Sequence, residues 1–176
     1  FSYWEGDLNF IPTRYDGFVP LLDIIDTFDK TIVSLQIGHS SKSKDFMNSV
    51  KNVLYRKADH KELIIRTDNG PQFKSKVSQA YMDEMEITHE FGYKNNSNSQ
   101  AFIESHHSNL DREFVQFNSF ENIEEVFQVY NAYMFFYHNL RRHGSLNYMT
   151  PSSYNKMLYK NNSSSCLDTI TIFVKK

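Results

Sequence analysis

The chain has 176 residues, of which 40% are hydrophobic and 23% charged, and its formal net charge is −2. This composition is that of a folded globular protein rather than a disordered one, and the length suits one domain. The single cysteine, Cys166, excludes a disulfide framework and favours a reducing compartment. No apolar run is long enough for a membrane span. The slightly acidic net charge lacks the excess of basic residues that nucleic-acid-binding proteins usually have.

The first part of the sequence predicts three consecutive β-strands. Apolar and β-branched residues are concentrated in residues 4–11, 18–28 and 31–37. Short segments of turn-forming residues separate them, at 15–17 and 29–30. Three strands with tight connections favour an antiparallel meander.

The middle of the sequence alternates helices and strands. Apolar residues at helical spacing after Ser43 predict a helix. A short apolar strand is predicted over residues 62–67, a helix over about 73–85, and a strand over 86–91. The order β-β-β-α-β-α-β predicts the α/β fold class. We expect a mixed five-stranded sheet, built from an antiparallel meander plus parallel strands and flanked by helices.

Helices dominate the remainder. A polar loop over residues 92–99 precedes helices that begin near Gln100, after a cap at Asn118 or Ser119, and at Thr150. We expect one domain over residues 1–160. Residues 161–176 then form a linker and a C-terminal extension, which could include a final strand.

Three acidic residues occupy positions that suit metal-dependent chemistry on phosphate. Asp7 lies inside the first strand between apolar neighbours, where a charge is costly unless it is paired or bound to metal. Asp68 follows the strand over 62–67, and Glu104 lies on the helix after the polar loop. Carboxylates that converge from separate elements can hold two magnesium ions. Each residue alone has a plainer interpretation, as an edge, turn or solvated helix residue.

Four motifs together resemble the DDE transposase and retroviral-type integrase superfamily. Residues 66–73 (RTDNGPQF) match its second motif nearly residue for residue, and 35 residues lie between Asp68 and Glu104, which is the family's spacing. Residues 4–7 (WEGD) resemble the first motif. The third motif is resembled by residues 101–105 (AFIES) followed by 110–113 (LDRE). The tail motif is resembled by residues 137–143 (YHNLRRH) followed by Leu146, Thr150 and Pro151.

The resemblance implies a ribonuclease H-like fold and a polynucleotidyl transferase, closest in pattern to bacterial insertion-sequence transposases. Asp7, Asp68 and Glu104 would be the catalytic residues and would hold two Mg²⁺ or Mn²⁺ ions. Water would attack a phosphodiester at the end of the mobile element. The freed 3′-hydroxyl would then attack target DNA.

The same resemblance implies partners and a location. The protein would bind element ends and target DNA, act as a homo-oligomer, and have an N-terminal DNA-binding domain outside this chain. It would work in the bacterial cytoplasm at the nucleoid, or in the nucleus if it came from a eukaryotic retroelement. No membrane partner is expected.

The candidate DNA-binding residues are polar or basic side chains near these motifs: Asn69, Gln72, Lys94, Arg112, Arg141, Arg142 and His143. Asn69 and Gln72 equally suit turn hydrogen bonds, and the basic residues from 141 to 143 also suit a helix C-terminus. The adjacent residues His106 and His107 could approach the scissile phosphate. The preferred interpretation is that they lie on a solvent-exposed face of the helix. Asp111 stands where related helices often present a lysine, so it would repel phosphate.

Two alternatives remain open from the sequence. A retroviral or retroelement integrase core would use the same chemistry, and its upstream domain would distinguish it. A domesticated, non-catalytic DNA-binding or assembly module would keep the fold without turnover. The three intact carboxylates disfavour the second alternative, whereas Asp111 and the acidic balance favour it.

Overall fold

The computed structural model describes residues 2–56, 62–92, 100–158 and 171–175. Helices lie on both faces of one mixed sheet. The strands are β1 (Ser2–Pro12), β2 (Phe18–Asp26), β3 (Ile32–Gly38), β4 (Leu63–Thr67), β5 (Thr88–Phe91) and β6 (Thr171–Lys175). The α-helices are α1 (Ser43–Arg56), α2 (Pro71–Lys74), α3 (Lys76–Glu84), α4 (Ala101–Glu113), α5 (Ile123–Asn139) and α6 (Pro151–Leu158). In these ranges no helix is long and apolar enough to cross a membrane.

The sheet has the order β5-β4-β1-β2-β3-β6. Its first three strands form the expected antiparallel meander, and β4 and β5 add to β1 in parallel. The predicted mixed sheet flanked by helices is therefore confirmed. A sixth strand, β6, pairs in parallel with β3 at the other edge.

Both faces of the sheet are buried, and the alternation of side chains along each strand divides the core in two. In β2, Leu21 and Ile25 pack on the face covered by α4 and α5. Leu22 and Ile24 point the other way, toward the face that includes Trp4 and the helices before β5. This period of two explains why β2 is a nearly continuous apolar run in the sequence.

Two helix boundaries differ from those the sequence predicts. The helix expected over 73–85 is interrupted at Ser75, whose backbone is extended and whose hydroxyl caps α3 by accepting a hydrogen bond from the Ser78 amide at 3.1 Å. The cap of α5 is Asn122, which accepts from the Glu125 amide at 3.0 Å, rather than residue 118 or 119. In both places several residues suited to capping occur close together, and packing selects one of them.

The beginning of α4 is stabilised from another strand. Gln100 occupies the N-cap position but makes no capping hydrogen bond with its side chain. Instead, Oε2 of the buried Glu5 in β1 accepts hydrogen bonds from the amides of Phe102 at 3.0 Å and Ile103 at 2.9 Å. A carboxylate at this position satisfies free amide groups and complements the positive end of the helix. Glu5 therefore fixes the start of α4 on β1.

Replacing Glu5 with alanine tests this contact. The change leaves two amides at the start of α4 without their acceptor, so we expect the free energy of unfolding to fall by about 1–3 kcal/mol in urea titrations. Glu124→Ala is the matched control, because Glu124 is an exposed glutamate in the first turn of α5. The control should lose no more than about 0.5 kcal/mol. Equal losses in the two variants would contradict the capping role of Glu5.

Candidate active site

Three aspartates lie in a row across neighbouring strands, and we call them the carboxylate row. Asp7 at the centre of β1 is paired with Asp23 of β2. On the other side, Gly6 pairs with Thr67 at the end of β4, so Asp68 follows beside Asp7. Adjacent strands are about 4.8 Å apart, and paired residues point to the same face. The row therefore runs Asp68, Asp7, Asp23 on the side of the sheet covered by α4.

The Asp7 carboxylate is close enough to Asp68 to influence its charge. Burial raises the pKa of Asp68, the amide of Gly70 lowers it by donating a hydrogen bond to Oδ1 at 2.8 Å, and the Asp7 carboxylate raises it again. The net pKa shift is upward, as expected for two acids that share one site. Both side chains retain contact with solvent.

The turn after Asp68 uses its polar groups internally. The side-chain amide of Asn69 donates to the carbonyl of Gly92 at 2.7 Å, which ties the turn to the end of β5. Gln72 folds over Gly70, where an added Cβ would lie 2.5 Å from the Gln72 side-chain nitrogen. A larger residue at position 70 would therefore require the end of the Gln72 side chain to shift. DNA contacts by Asn69 and Gln72 remain predictions.

Glu104 is exposed on α4 and, among the residues that the structure describes, makes no hydrogen bond or ion pair with Asp7 or Asp68. No three His, Cys, Asp or Glu side chains of the described ranges form a metal-binding group. Glu104 nevertheless lies on the same side of α4 as His107, three residues and about 4.5 Å further along the axis. Nδ1 of His107 is 3.5 Å from Oδ2 of Asp7. Glu104 is therefore one helical turn from a residue that contacts the row.

Asp7 and Asp68 suit a divalent cation. Their side chains are adjacent, partly exposed carboxylates, and hard cations such as Mg²⁺ prefer oxygen ligands of this kind. Burial, followed by the Asp7 carboxylate, raises the pKa of Asp68, so a nearby positive charge would stabilise the ionised form of Asp68. Glu104 would complete the set only after its side chain or the first turn of α4 moved toward Asp7.

The two histidines on α4 do not form a solvated face, so that interpretation is wrong. His106 is 2% exposed and lies on the buried stripe with Ile103 and Leu110. Its Nε2 is 3.1 Å from Oδ2 of Asp23. The spacing of residues 103, 106 and 110 is the signal that could have predicted this, since i+3 and i+4 neighbours share a helix face.

Asp23 is the residue of the site that the sequence interpretation missed. Its side chain is 0% exposed, and Oδ2 accepts a hydrogen bond from the Tyr130 hydroxyl of α5 at 3.2 Å. Nε2 of His107 lies 3.3 Å from the same oxygen, an ion-pair contact without good hydrogen-bond alignment. An aspartate inside an apolar run is a sequence signal for a buried, paired charge.

The charges of this cluster are set by burial and by one another. Burial alone would raise the pKa of Asp23, but His106 and His107 lower it to about 2. Burial opposes the charged form of His107, yet Asp23 and Asp7 raise its pKa to about 9. Burial lowers the pKa of His106 despite its contact with Asp23. At neutral pH the cluster therefore has an ionised Asp23, a cationic His107 and a neutral His106.

The basic residues at the end of α5 are largely engaged within the protein. Arg141 binds Glu113 through two parallel contacts, Nη2 to Oε1 at 2.8 Å and Nε to Oε2 at 2.9 Å. His143 packs edge-on against Tyr137, and burial together with Arg141 lowers its pKa to about 4. A neutral His143 and a paired Arg141 are weak phosphate ligands. Their proposed role in DNA binding remains a prediction.

Two other basic candidates are open to solvent. Arg142 is exposed, and so is Arg112 of α4, whose Nη2 donates to the side chain of Asn109 on the same helix at 2.8 Å. Lys94 lies outside the described residues. Arg112 is therefore the basic candidate on the helix that also bears Glu104.

Comparison with known proteins agrees with the motifs. Models described as integrase core domain match residues 1–97 and 85–151. The transposase for insertion sequence element IS904 of Lactococcus lactis is 28% identical over 87% of this chain and 60% of that protein. The putative transposase for element IS150 of Escherichia coli is 26% identical over 79% of this chain and 49% of that protein. The chain thus spans about half the length of these curated relatives.

Solved structures with a similar fold are catalytic cores of retroviral integrases. The HTLV-2 integrase core in complex with magnesium covers 86% of this chain and 94% of its own, with a TM-score of 0.63 and 18% identity. The BIV integrase core covers 90% of this chain and 96% of its own, with a TM-score of 0.61 and 17% identity. The family model shows that the chain belongs to the integrase core domain family, and these structural likenesses show its ribonuclease H-like fold.

Proposed function

We propose that this chain is the catalytic core of a DNA transposase, which cleaves the ends of a mobile element and transfers the 3′-hydroxyl to target DNA. The adjacency of Asp7 and Asp68, the first and second acidic residues of the family motif, is the observation that carries the proposal. The transposase relatives support this function, and an integrase core of the same chemistry is the alternative. The partners would be element ends, target DNA and further copies of the chain, in a bacterial cytoplasm.

Each acidic residue has a distinct part in the proposed reaction. Divalent cations, Mg²⁺ or Mn²⁺, would supply an activated attacking oxygen and stabilisation of the leaving oxygen. Asp7 and Asp68 would hold them, and Asp7 is central because it also faces α4 through His107. The exposed side chain of Glu104 is free to turn toward Asp7. Glu5, by capping α4, would keep that movement short.

A non-catalytic module is the alternative from another functional class. The lack of contact between Glu104 and the two aspartates is the observation that favours it. The two proposals differ in what they require of Glu104. A catalytic core needs its carboxylate, whereas a module that only binds DNA is indifferent to it.

Conservative replacement of the three acidic residues tests the catalytic proposal. We expect Asp7→Asn, Asp68→Asn and Glu104→Gln each to lower strand transfer by about 100- to 1,000-fold or more, because each removes a carboxylate that would hold the cations on which stabilisation of the transition state depends. The assay follows labelled oligonucleotides that mimic the element ends, with Mn²⁺ or Mg²⁺, in the full-length protein that contains this chain.

Two exposed residues of the same types provide matched controls. Asp83 on α3 and Glu124 on α5 are exposed, so Asp83→Asn and Glu124→Gln should keep nearly full activity. DNA binding by all five variants is measured in parallel. Full strand transfer by the Glu104→Gln protein would reject the catalytic proposal, and a non-catalytic module would then fit better.

A second test concerns the DNA-facing side of α4. Asp111 is exposed and lies two turns beyond Glu104 on the same side of the helix. We expect Asp111→Lys to tighten binding to element-end DNA. The slope of the logarithm of the association constant against the logarithm of salt concentration should increase in magnitude by about 1, because one more phosphate is neutralised. The measurement is fluorescence anisotropy over a salt series.

Asp83→Lys makes the same change of charge on α3, which packs on the opposite face of the sheet. It should leave the salt slope nearly unchanged. Equal slopes for the two lysine variants would mean that DNA does not approach α4 preferentially.

A further inference from the structure

One buried oxygen joins the sheet to both helices that cover the proposed site. Oδ2 of Asp23 contacts Nε2 of His106 at 3.1 Å and Nε2 of His107 at 3.3 Å, both on α4. It also accepts from the hydroxyl of Tyr130 on α5 at 3.2 Å. A carboxylate without solvent contact is stable only when such partners surround it. Removing its charge would therefore loosen both helices at this point.

The position of Asp23 makes that loosening relevant to the site. Asp23 is the cross-strand neighbour of Asp7, and His107 contacts Asp7 as well as Asp23, through its other ring nitrogen. The same helix bears Glu104, one turn before His107. The orientation of α4 on the sheet thus depends on Asp23 at the level where Glu104 must approach Asp7.

We propose that Asp23 is a positioning residue for the metal-binding carboxylates: through His106 and His107 it sets how α4 lies over β1. The proposal rests on the function proposed above and adds a residue outside the three-acid motif. Asp23 itself is not a ligand in this scheme, because its side chain is fully enclosed. It acts on Asp7 and Glu104 through α4, which bears Glu104 and contacts Asp7 through His107.

A purely structural role for Asp23 makes a different prediction. If Asp23 only stabilised the fold, its replacement would lower the melting temperature without changing the affinity of the folded protein for cations. A positioning residue changes that affinity. Loss of a partner that orients a metal ligand typically weakens metal binding by about 10- to 100-fold.

The test uses Mn²⁺ as the probe and this chain as it stands. Electron paramagnetic resonance of free Mn²⁺ gives the dissociation constant well below the melting temperature of each variant. Asp23→Asn keeps the shape of the side chain and removes its charge. We expect its dissociation constant to rise about 10- to 100-fold, while circular dichroism shows a cooperative melt.

Asn155→Ala is the matched structural control. Asn155 on α6 is buried and donates to the buried Asp29 at 2.6 Å and to Thr31 at 3.0 Å, in the turn between β2 and β3. Its loss also breaks a buried polar contact, but away from the carboxylate row. The control should bind Mn²⁺ within about twofold of the original chain. Unchanged binding by Asp23→Asn, or an equal loss in Asn155→Ala, would overturn the proposal.

A second pair of variants decides the matter if Asp23→Asn does not fold. His106→Gln keeps an N–H donor that can reach Asp23, whereas His106→Leu has none. We expect the leucine variant to bind Mn²⁺ at least about tenfold more weakly than the glutamine variant. Equal affinities in the two variants would reject the positioning role.

Failure of the underlying function gives a different result. If Asp7→Asn binds Mn²⁺ as tightly as the original chain, the metal-binding proposal itself is wrong. If Asp7→Asn loses binding and Asp23→Asn keeps it, only the positioning role is rejected.

Discussion

The position of α4 depends on the negative charge buried beneath it, because a buried carboxylate is stable only when nearby groups compensate it. Glu5 and Asp23 both point from the sheet toward that helix, and both are almost fully enclosed. The backbone amides of α4 compensate the first, and its two histidines compensate the second. A helix that satisfies two buried carboxylates has few other positions open to it. This constraint places Glu104 near Asp7 without any direct contact between them.

The sequence was sufficient to predict the sheet and the positions of Asp7 and Asp68 in it, but not the residues that surround them. Strand periodicity and turn residues are local signals, and they defined the meander, β4 and the placement of Asp7 and Asp68. The contacts of Glu5 with Ile103 and of Asp23 with His106 join residues 98 and 83 positions apart. A single sequence has no local pattern for such pairs, because the partner is chosen by tertiary packing.

The basic residues have less distinctive sequence signals than the acidic ones. An arginine near a helix C-terminus suits phosphate binding, the helix dipole and an ion pair equally well. Only the fold shows that the Glu113 carboxylate lies within reach of Arg141 and binds its guanidinium through two parallel contacts. The exposed surface of α4 has charges of both signs, because Arg112 and Asp111 are adjacent there.

The three aspartates of the carboxylate row differ in their solvent exposure and in the groups that compensate their charge. Asp68 is partly exposed and its pKa is raised, by burial and by its neighbour. Asp7 is 23% exposed at its side chain and touches a histidine. Asp23 is closed off, and its pKa is held at about 2 by two histidines. Asp68 and Asp7 are both partly exposed, whereas Asp23 is fully enclosed and its charge is compensated by the protein. Asp68 and Asp7 therefore suit a cation, whereas the enclosed Asp23, already compensated, is suited to holding the helix.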